Sequence, residues 1–143
     1  MIDTGDSAGR TVLTFGTYDM FHLGHLRLLE RASALGDRLV VGISSDELNI
    51  SKKGRAPVYS QQERVAIVAA LRCVDGTFVE ESLERKGEYI QQVGADVLVM
   101  GDDWAGRFDQ FQELCEVVYL ERTPSVSTTE TIEKIRRPVS DPS

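Results

Sequence analysis

The sequence predicts an α/β protein, a three-layer α/β/α arrangement around a five-stranded, mostly parallel sheet. Three observations predict it. Short β-rich runs alternate with segments of helical periodicity, the order that produces parallel strands with helices on both faces. Two of the runs, residues 38–43 (RLVVGI) and 96–100 (DVLVM), are almost continuously apolar, as strands covered on both sides are. The segments of unusual composition follow strands, and ligands of such sheets sit beyond the carboxyl ends of the strands.

The elements follow in order. Residues 11–15 (TVLTF) form a β-rich run that stops at Gly16. Residues 23–35 carry Leu26, Leu29, Ala32 and Leu35 at helical spacing, with Gly36 as the expected stop. The second strand is residues 38–43. Residues 44–59 are polar and basic after Ile50 and predict a long, functional loop. Ser60 with Glu63 has the spacing of a capping box and opens a helix through Val65, Ile67, Val68 and Leu71. A strand near residues 74–79 and a helix near 83–93 follow, the latter ended by Gly94. Residues 96–100 make the fourth strand, 108–114 a short helix, 116–120 the fifth strand, and about 129–136 a last helix. Residues 1–10 are expected to be a flexible lead-in, 11–136 a single domain and 137–143 a disordered tail.

Composition narrows the function classes. Sixteen Lys and Arg stand against 23 Asp and Glu, a net charge of −7. That argues against a protein built to grip nucleic acid, whose backbone requires clustered positive charge. It leaves room for a small anionic substrate held by a few focused cations. No apolar run approaches the ~20 residues that cross a bilayer, and residues 1–10 hold no apolar signal core. Cys73 and Cys115 stand far apart, outside any paired motif, and read as reduced, semi-buried thiols. A cytoplasmic location is the expectation.

The chemistry concentrates in residues 16–25, Gly-Thr-Tyr-Asp-Met-Phe-His-Leu-Gly-His. The chain's two histidines, His22 and His25, lie three residues apart at a helix entrance and can share one side of its first turn. The helix N-terminus adds unbonded N–H groups and a positive dipole end, and Gly24 permits close approach to the backbone. Zinc binding requires further Cys or His ligands, and none lie nearby in sequence. Two structural histidines are a second reading. The third, phosphate recognition with transition-state stabilisation, uses imidazole N–H donors aimed at an α-phosphate and a leaving pyrophosphate.

Gly16-Thr17-Tyr18-Asp19 together with His22-Leu23-Gly24-His25 resembles the signature of the HxGH cytidylyltransferase-like superfamily. Gly101-Asp102-Asp103-Trp104, and Arg122-Thr123 followed by Ser127-Thr128-Thr129, resemble motifs of bacterial glycerol-3-phosphate cytidylyltransferases. The resemblance implies a Rossmann-like domain, CTP as donor, Mg²⁺ dependence and a homodimer. It implies transfer of CMP from CTP to sn-glycerol 3-phosphate, with other phosphorylated alcohols or an ATP-using reaction as alternatives. By motif, Thr17, Tyr18, His22, Leu23, Gly24, His25, Gly101, Asp102, Asp103, Arg122, Thr123, Ser127, Thr128 and Thr129 would bind CTP. His22, His25, Lys52 and Arg122 would carry catalysis.

Several of these residues have plainer readings. Ser127, Thr128 and Thr129 also suit a helix cap. Asp102 and Asp103 could cap the next helix or bind a cation, and Trp104 could pack or stack. On the acceptor side the resemblance points to Asp19, Lys52, Arg64 and Lys86. Lys52 and Lys86 could equally be solvated surface charges, and Arg64 could orient phosphates or make a dimer contact. The pattern departs from the family here. Gly54 replaces a second lysine, with Lys53 and Arg55 on either side, one extra residue precedes Tyr59, and Leu83 stands where an aromatic is expected.

Overall fold

The computed structural model describes residues 9–121. The calls on Arg122, Thr123, Ser127, Thr128 and Thr129, on the last helix, on residues 1–8 of the lead-in and on the tail lie outside the described residues. Five strands form one sheet: β1 (Thr11–Gly16), β2 (Arg38–Ser44), β3 (Gly76–Glu80), β4 (Val97–Gly101) and β5 (Glu116–Leu120). Their order is β3-β2-β1-β4-β5 and every pairing is parallel. Four α-helices accompany them: α1 (Leu23–Ser33), α2 (Asp46–Lys53), α3 (Gln61–Ala69) and α4 (Lys86–Val93).

The period of two along the strands divides the core. Val12 of β1, Leu39, Val41 and Ile43 of β2, and Val97 and Val99 of β4 face one side, where they pack with Leu29 and Ala32 of α1 and Val68 of α3. Leu13, Phe15, Val40, Leu98 and Met100 face the other and pack with Tyr89 and Ile90 of α4. Both faces are covered, which is why the central strands read as continuous apolar runs. Each fully buried Leu or Val contributes on the order of 1.5–3 kcal/mol of transfer free energy.

The strand order reverses at β1. The chain moves outward to β2 and β3, then returns to β4 on the opposite side of β1. A crevice therefore opens beyond the carboxyl ends of β1 and β4, the switch point where such sheets take ligands. The register brings the other strand ends to the same edge: Gly16 lies opposite Ile43, Ser44 opposite Glu80, and Gly101 opposite Leu120.

Three local expectations are corrected. Residues 44–59 are not one long loop, because α2 occupies their first half. Ser45 caps it by accepting from the Leu48 N–H, Asp46 and Glu47 stand in its first turn, Lys52 and Lys53 in its last, and Gly54 closes it at φ +78°. Gly36 does not terminate α1, whose C-cap is Ala34 in right-handed geometry. Its lack of a side chain serves packing instead, since a Cβ there would lie 2.7 Å from the Arg10 carbonyl oxygen. The segment at residues 108–114 contains a 3₁₀ turn, Asp109–Glu113, in place of an α-helix. The capping box at Ser60 and Glu63 forms as expected.

Candidate active site at the carboxyl edge of the sheet

The connection from β1 to α1 is under local strain. Tyr18 and Met20 hold left-handed φ values of +57° and +47°, a conformation that costs bulky side chains on the order of 1–3 kcal/mol. The turn drives the Tyr18 ring inward, where it is 4% exposed and joins the core under α1. Gly16 makes this possible, because a Cβ there would meet the ring at 2.7 Å. Burial, opposed by the nearby Thr14 hydroxyl, raises the Tyr18 phenol far above its usual range. Thr14 Oγ1 and Tyr18 Oη are nonetheless both buried without a partner at hydrogen-bond geometry. The Tyr18 side chain is thus a support of the turn, leaving its backbone as the part near the crevice.

The same turn delivers the two histidines. His22 is the N-cap of α1, and its Nδ1 accepts from the Gly24 N–H at 3.0 Å. His25 reciprocates, its Nδ1 accepting from the His22 N–H at 3.2 Å. The rings stack with centroids 3.9 Å apart, and His25 is flanked by Phe21 and Tyr18. Burial, with His22 as the second cause and Asp19 opposing, lowers the His25 pKa from 6.5 to about 3. His25 is therefore neutral across the physiological range. An acceptor Nδ1 places the proton of a neutral imidazole on Nε2. The pair is a reciprocal capping box at a helix N-terminus, and in each ring the nitrogen opposite the accepting Nδ1 is an N–H donor.

A buried polar network fastens this turn to β2, α2 and α3. Thr17 Oγ1 lies 3.1 Å from Ser44 Oγ and donates to Asn49 Oδ1 at 3.0 Å. Asn49, 1% exposed, donates in turn to Ser44 Oγ and to the Ser45 carbonyl. Arg64 is fully buried. It donates to the carbonyls of Tyr59, Thr17 and Ser44 and pairs with Asp46 at 2.7 Å. Asp46 and Gln61 exchange backbone-to-side-chain bonds at 3.1 Å. Arg64 thus ties four segments together, and its guanidinium faces its own chain. The Asp19 carboxylate accepts from the Val58 and Tyr59 N–H groups at 2.7 and 2.8 Å, which tethers the segment after α2 over the same edge.

Two lysines complete this side. Lys86 opens α4 and is not a solvated surface charge: it is 5% exposed and pairs with buried Glu80 at the end of β3. Lys52 is exposed at the end of α2. Burial of its stem and the charge of Lys53 hold its amine below the ordinary lysine value; Glu80 opposes, while Lys86 and Arg64 add to the lowering. Gly54, in the position of the second family lysine, is the left-handed C-cap of α2. Leu83 lies in a 3₁₀ turn and is 45% exposed.

On the other flank, β4 ends at Gly101, and residues Asp102–Trp104 form a 3₁₀ turn. Gly101 is its cap, so the two aspartates lie in the turn itself and are exposed beside the switch point. Trp104 is 45% exposed, between Phe108 at 5.7 Å and the Arg107 guanidinium at 5.8 Å. The geometry brings Thr17, His22, Leu23, Gly24 and His25 together with Asp19, Lys52 and Lys86 along one edge, with Gly101 to Asp103 at the end of the neighbouring strand. Glu80, Ser44 and Asn49 were not anticipated. The acid at the end of a β-rich run, six residues before a lysine, was the available signal for Glu80.

Among the described residues no group of three or more His, Cys, Asp or Glu could hold a metal ion, and no helix is long and apolar enough to cross a membrane. Cys73 and Cys115 are half-buried free thiols.

A family model described as cytidylyltransferase-like matches residues 13–135. The chain is 48% identical over 126 residues to a glycerol-3-phosphate cytidylyltransferase of Bacillus subtilis (strain 168), covering 88% of this chain and 97% of that protein. It is 41% identical over 120 residues to the protein of the same description from Staphylococcus aureus (strain NCTC 8325 / PS 47), covering 84% and 90%. Its fold is similar to that of the lipopolysaccharide core biosynthesis protein from Thermoplasma volcanium GSS1, with a TM-score of 0.71 over 81% of this chain and 99% of that one. At 24% identity, that likeness speaks to the fold alone.

Proposed function

Because the chain belongs to the cytidylyltransferase-like family, we propose that the edge of its sheet transfers CMP from CTP to sn-glycerol 3-phosphate, giving CDP-glycerol and pyrophosphate. The chain is an enzyme of nucleotidyl transfer. The observation that carries the residue-level reading is the reciprocal His22–His25 cap at the switch point. It presents neutral N–H donors where a helix N-terminus already favours an anion.

An acceptor phosphate oxygen attacks the α-phosphorus of CTP in line, and the bond to the bridging oxygen of the β-phosphate breaks. The acceptor phosphate is already a nucleophile near neutral pH, so no general base is required. The Nε2–H groups of His22 and His25 donate to oxygens whose charge grows in the transition state. A neutral donor suits this task, since it needs no counter-ion and keeps its proton. Lys52 and Lys86 attract the acceptor phosphate. Asp19 and Arg64 hold the surrounding segments in place, and we assign them that role instead of direct acceptor contact. Backbone groups of Thr17, Tyr18, Leu23 and Gly24 line the triphosphate path. One aspartate of Asp102 and Asp103 accepts from the exocyclic amine of cytosine, a donor that uracil lacks. Arg122, Thr123, Ser127, Thr128 and Thr129 belong to the same reading as phosphate and ribose contacts.

Mg²⁺ is part of this proposal. It prefers phosphate oxygens supplemented by one or two carboxylates over an all-protein cage. Among the described residues no group of three or more His, Cys, Asp or Glu could hold a metal ion by itself, and exposed carboxylates such as Asp102 and Asp103 fit a cation carried by the triphosphate. When bound, the cation neutralises triphosphate charge. A homodimer and a cytoplasmic location complete the reading. The edge strands β3 and β5 each have one side without a partner strand among the described residues, an arrangement that a second copy can cover.

The test is pyrophosphate release with CTP, ATP, UTP and GTP, each against sn-glycerol 3-phosphate, ethanolamine phosphate and choline phosphate. Turnover confined to CTP with sn-glycerol 3-phosphate is expected. Turnover only with ATP, or only with another acceptor, overturns the assignment. Sedimentation velocity reads the oligomeric state, and a monomer at assay concentration overturns the dimer.

A further inference from the structure

Glu80 has no place in the reaction as described, yet it occupies an expensive position. It is the last residue of β3, opposite Ser44 at the end of the β2–β3 register, and is 2% exposed. It pairs with Lys86, itself 5% exposed, at the first residue of α4. The Lys86 ammonium lies 4.1 Å from the ring centroid of Phe15 and 5.6 Å from that of Phe108. The surroundings are aromatic: Phe15 meets Phe78 edge-on at 5.9 Å, and Phe78 meets Tyr89 at 5.2 Å.

Stability alone does not account for this pair. Two charges in such a setting carry a large desolvation cost, and well-packed apolar residues of similar volume commonly do as well or better. Aromatic packing is already the idiom of this corner. The pair is also not isolated. Lys52 approaches from the end of α2, and its amine feels both Glu80 and Lys86. Without Glu80, the buried Lys86 ammonium loses its carboxylate partner, and its place against the Phe15 ring is no longer fixed.

We propose that Glu80 is a positioning residue for the acceptor phosphate: its ion pair holds Lys86 fixed against Phe15, so that Lys86 and Lys52 form a two-lysine clamp for a phosphate dianion. The three groups sum to one positive charge, enough to attract the dianion and small enough to limit repulsion between the lysines when the clamp is empty. The proposal rests on the reading of Lys52 and Lys86 as acceptor contacts, and it adds the residue that makes them work together.

The experiment measures KM for sn-glycerol 3-phosphate and for CTP separately, with kcat, on Glu80→Gln, Lys86→Met, Lys52→Met and the double variant E80Q/K86M. Glu80→Gln keeps the shape and removes the charge. It is expected to raise the acceptor KM roughly tenfold, the scale of one weakened charge-assisted contact, with the CTP KM within about twofold of wild type. The double variant is expected to match Lys86→Met in acceptor KM, because Glu80 acts through Lys86. It carries no unpaired buried charge, so it reports on the clamp even if Lys86→Met alone folds poorly. An unchanged acceptor KM in Glu80→Gln, alongside a raised one in the lysine variants, overturns the role of Glu80. An equal rise in both KM values overturns it as well, since that is the mark of a merely structural residue. An unchanged acceptor KM in Lys52→Met and in the double variant overturns the acceptor-site reading itself.

Discussion

Replacing His25 with asparagine separates two tasks that one ring performs. The His25 Nδ1 accepts from the His22 N–H and helps to close the cap of α1. The opposite nitrogen carries the proton proposed to meet the phosphate. Asparagine places Oδ1 near the position of Nδ1 and has nothing at Nε2, so the cap survives and the donor is lost. Removal of one transition-state donor of this kind costs kcat on the order of 10²–10³. The pH dependence of stability supplies an independent magnitude. The folded His25 titrates near 3 against an ordinary value of 6.5. Between these values the unfolded chain binds more protons than the folded one, so this group's contribution is fully present above about pH 6.5 and is lost as pH falls toward 3. From pH 7 to pH 5 the loss for His25 is at most about 2 kcal/mol. Urea titrations of wild type and His25→Asn at pH 7, 6 and 5 should converge by that amount as the pH falls, because the variant has no imidazole to charge. Pyrophosphate release at pH 7.5 reads kcat for the same two proteins. A stability difference independent of pH refutes the neutral, buried imidazole. A kcat within about threefold of wild type refutes its role as a donor, on the scale of such contacts.

Three further outcomes test the rest of the edge. The Lys52 ammonium is held below the ordinary lysine value of 10.5, first by burial, so its charge is lost as pH rises through that lowered value. The acceptor KM should climb on the alkaline side below pH 10.5, and Lys52→Arg should move the climb upward because guanidinium stays charged. Arg64→Met strips four hydrogen-bonded partners, three carbonyls and the Asp46 carboxylate, from one buried guanidinium; denaturant titration should show a loss of about 3–5 kcal/mol. Gly16→Ala drives a methyl to within 2.7 Å of the Tyr18 ring; a loss of about 1–3 kcal/mol is expected by the same measurement, with a lower melting temperature.

The sheet was legible because its signal is redundant. β2 and β4 are apolar on both faces, and each alternates between the cluster under α1 and α3 and the cluster under α4. A shift of one residue would leave them apolar still. The helix α2 was missed for the opposite reason. Only Leu48 and Asn49 are buried along it, so it carries no apolar stripe to detect. It is fastened by polar bonds, from Asn49 to Ser44 and Ser45 and from Arg64 to Asp46. Its ends were nonetheless written in Ser45, Asp46, Lys53 and Gly54, the residues of its caps and end turns. Tyr18 and Arg64 show the other limit. A left-handed turn buries one side chain and three carbonyls accept from the other, placements that motif positions do not reveal. Sequence spacing carries residue type and rough proximity; it does not carry the direction in which a strained turn aims a side chain.

That distinction explains how a chain of net charge −7 can be built to handle two anions. A site made only of cations would need many of them, each with a desolvation cost and each repelling the next. Here the tasks are divided. The proposed donor side relies on hydrogen-bond donors, the imidazole N–H groups and the helix N-terminus, which keep their strength when water leaves. On the proposed acceptor side cations are few, and Glu80 pairs with one of them, Lys86. Arg64 contributes its charge to the local field while its hydrogen bonds go to the fold. The potential at the edge is therefore set by the placement of a few buried groups, and the acidic balance of the whole chain says little about it.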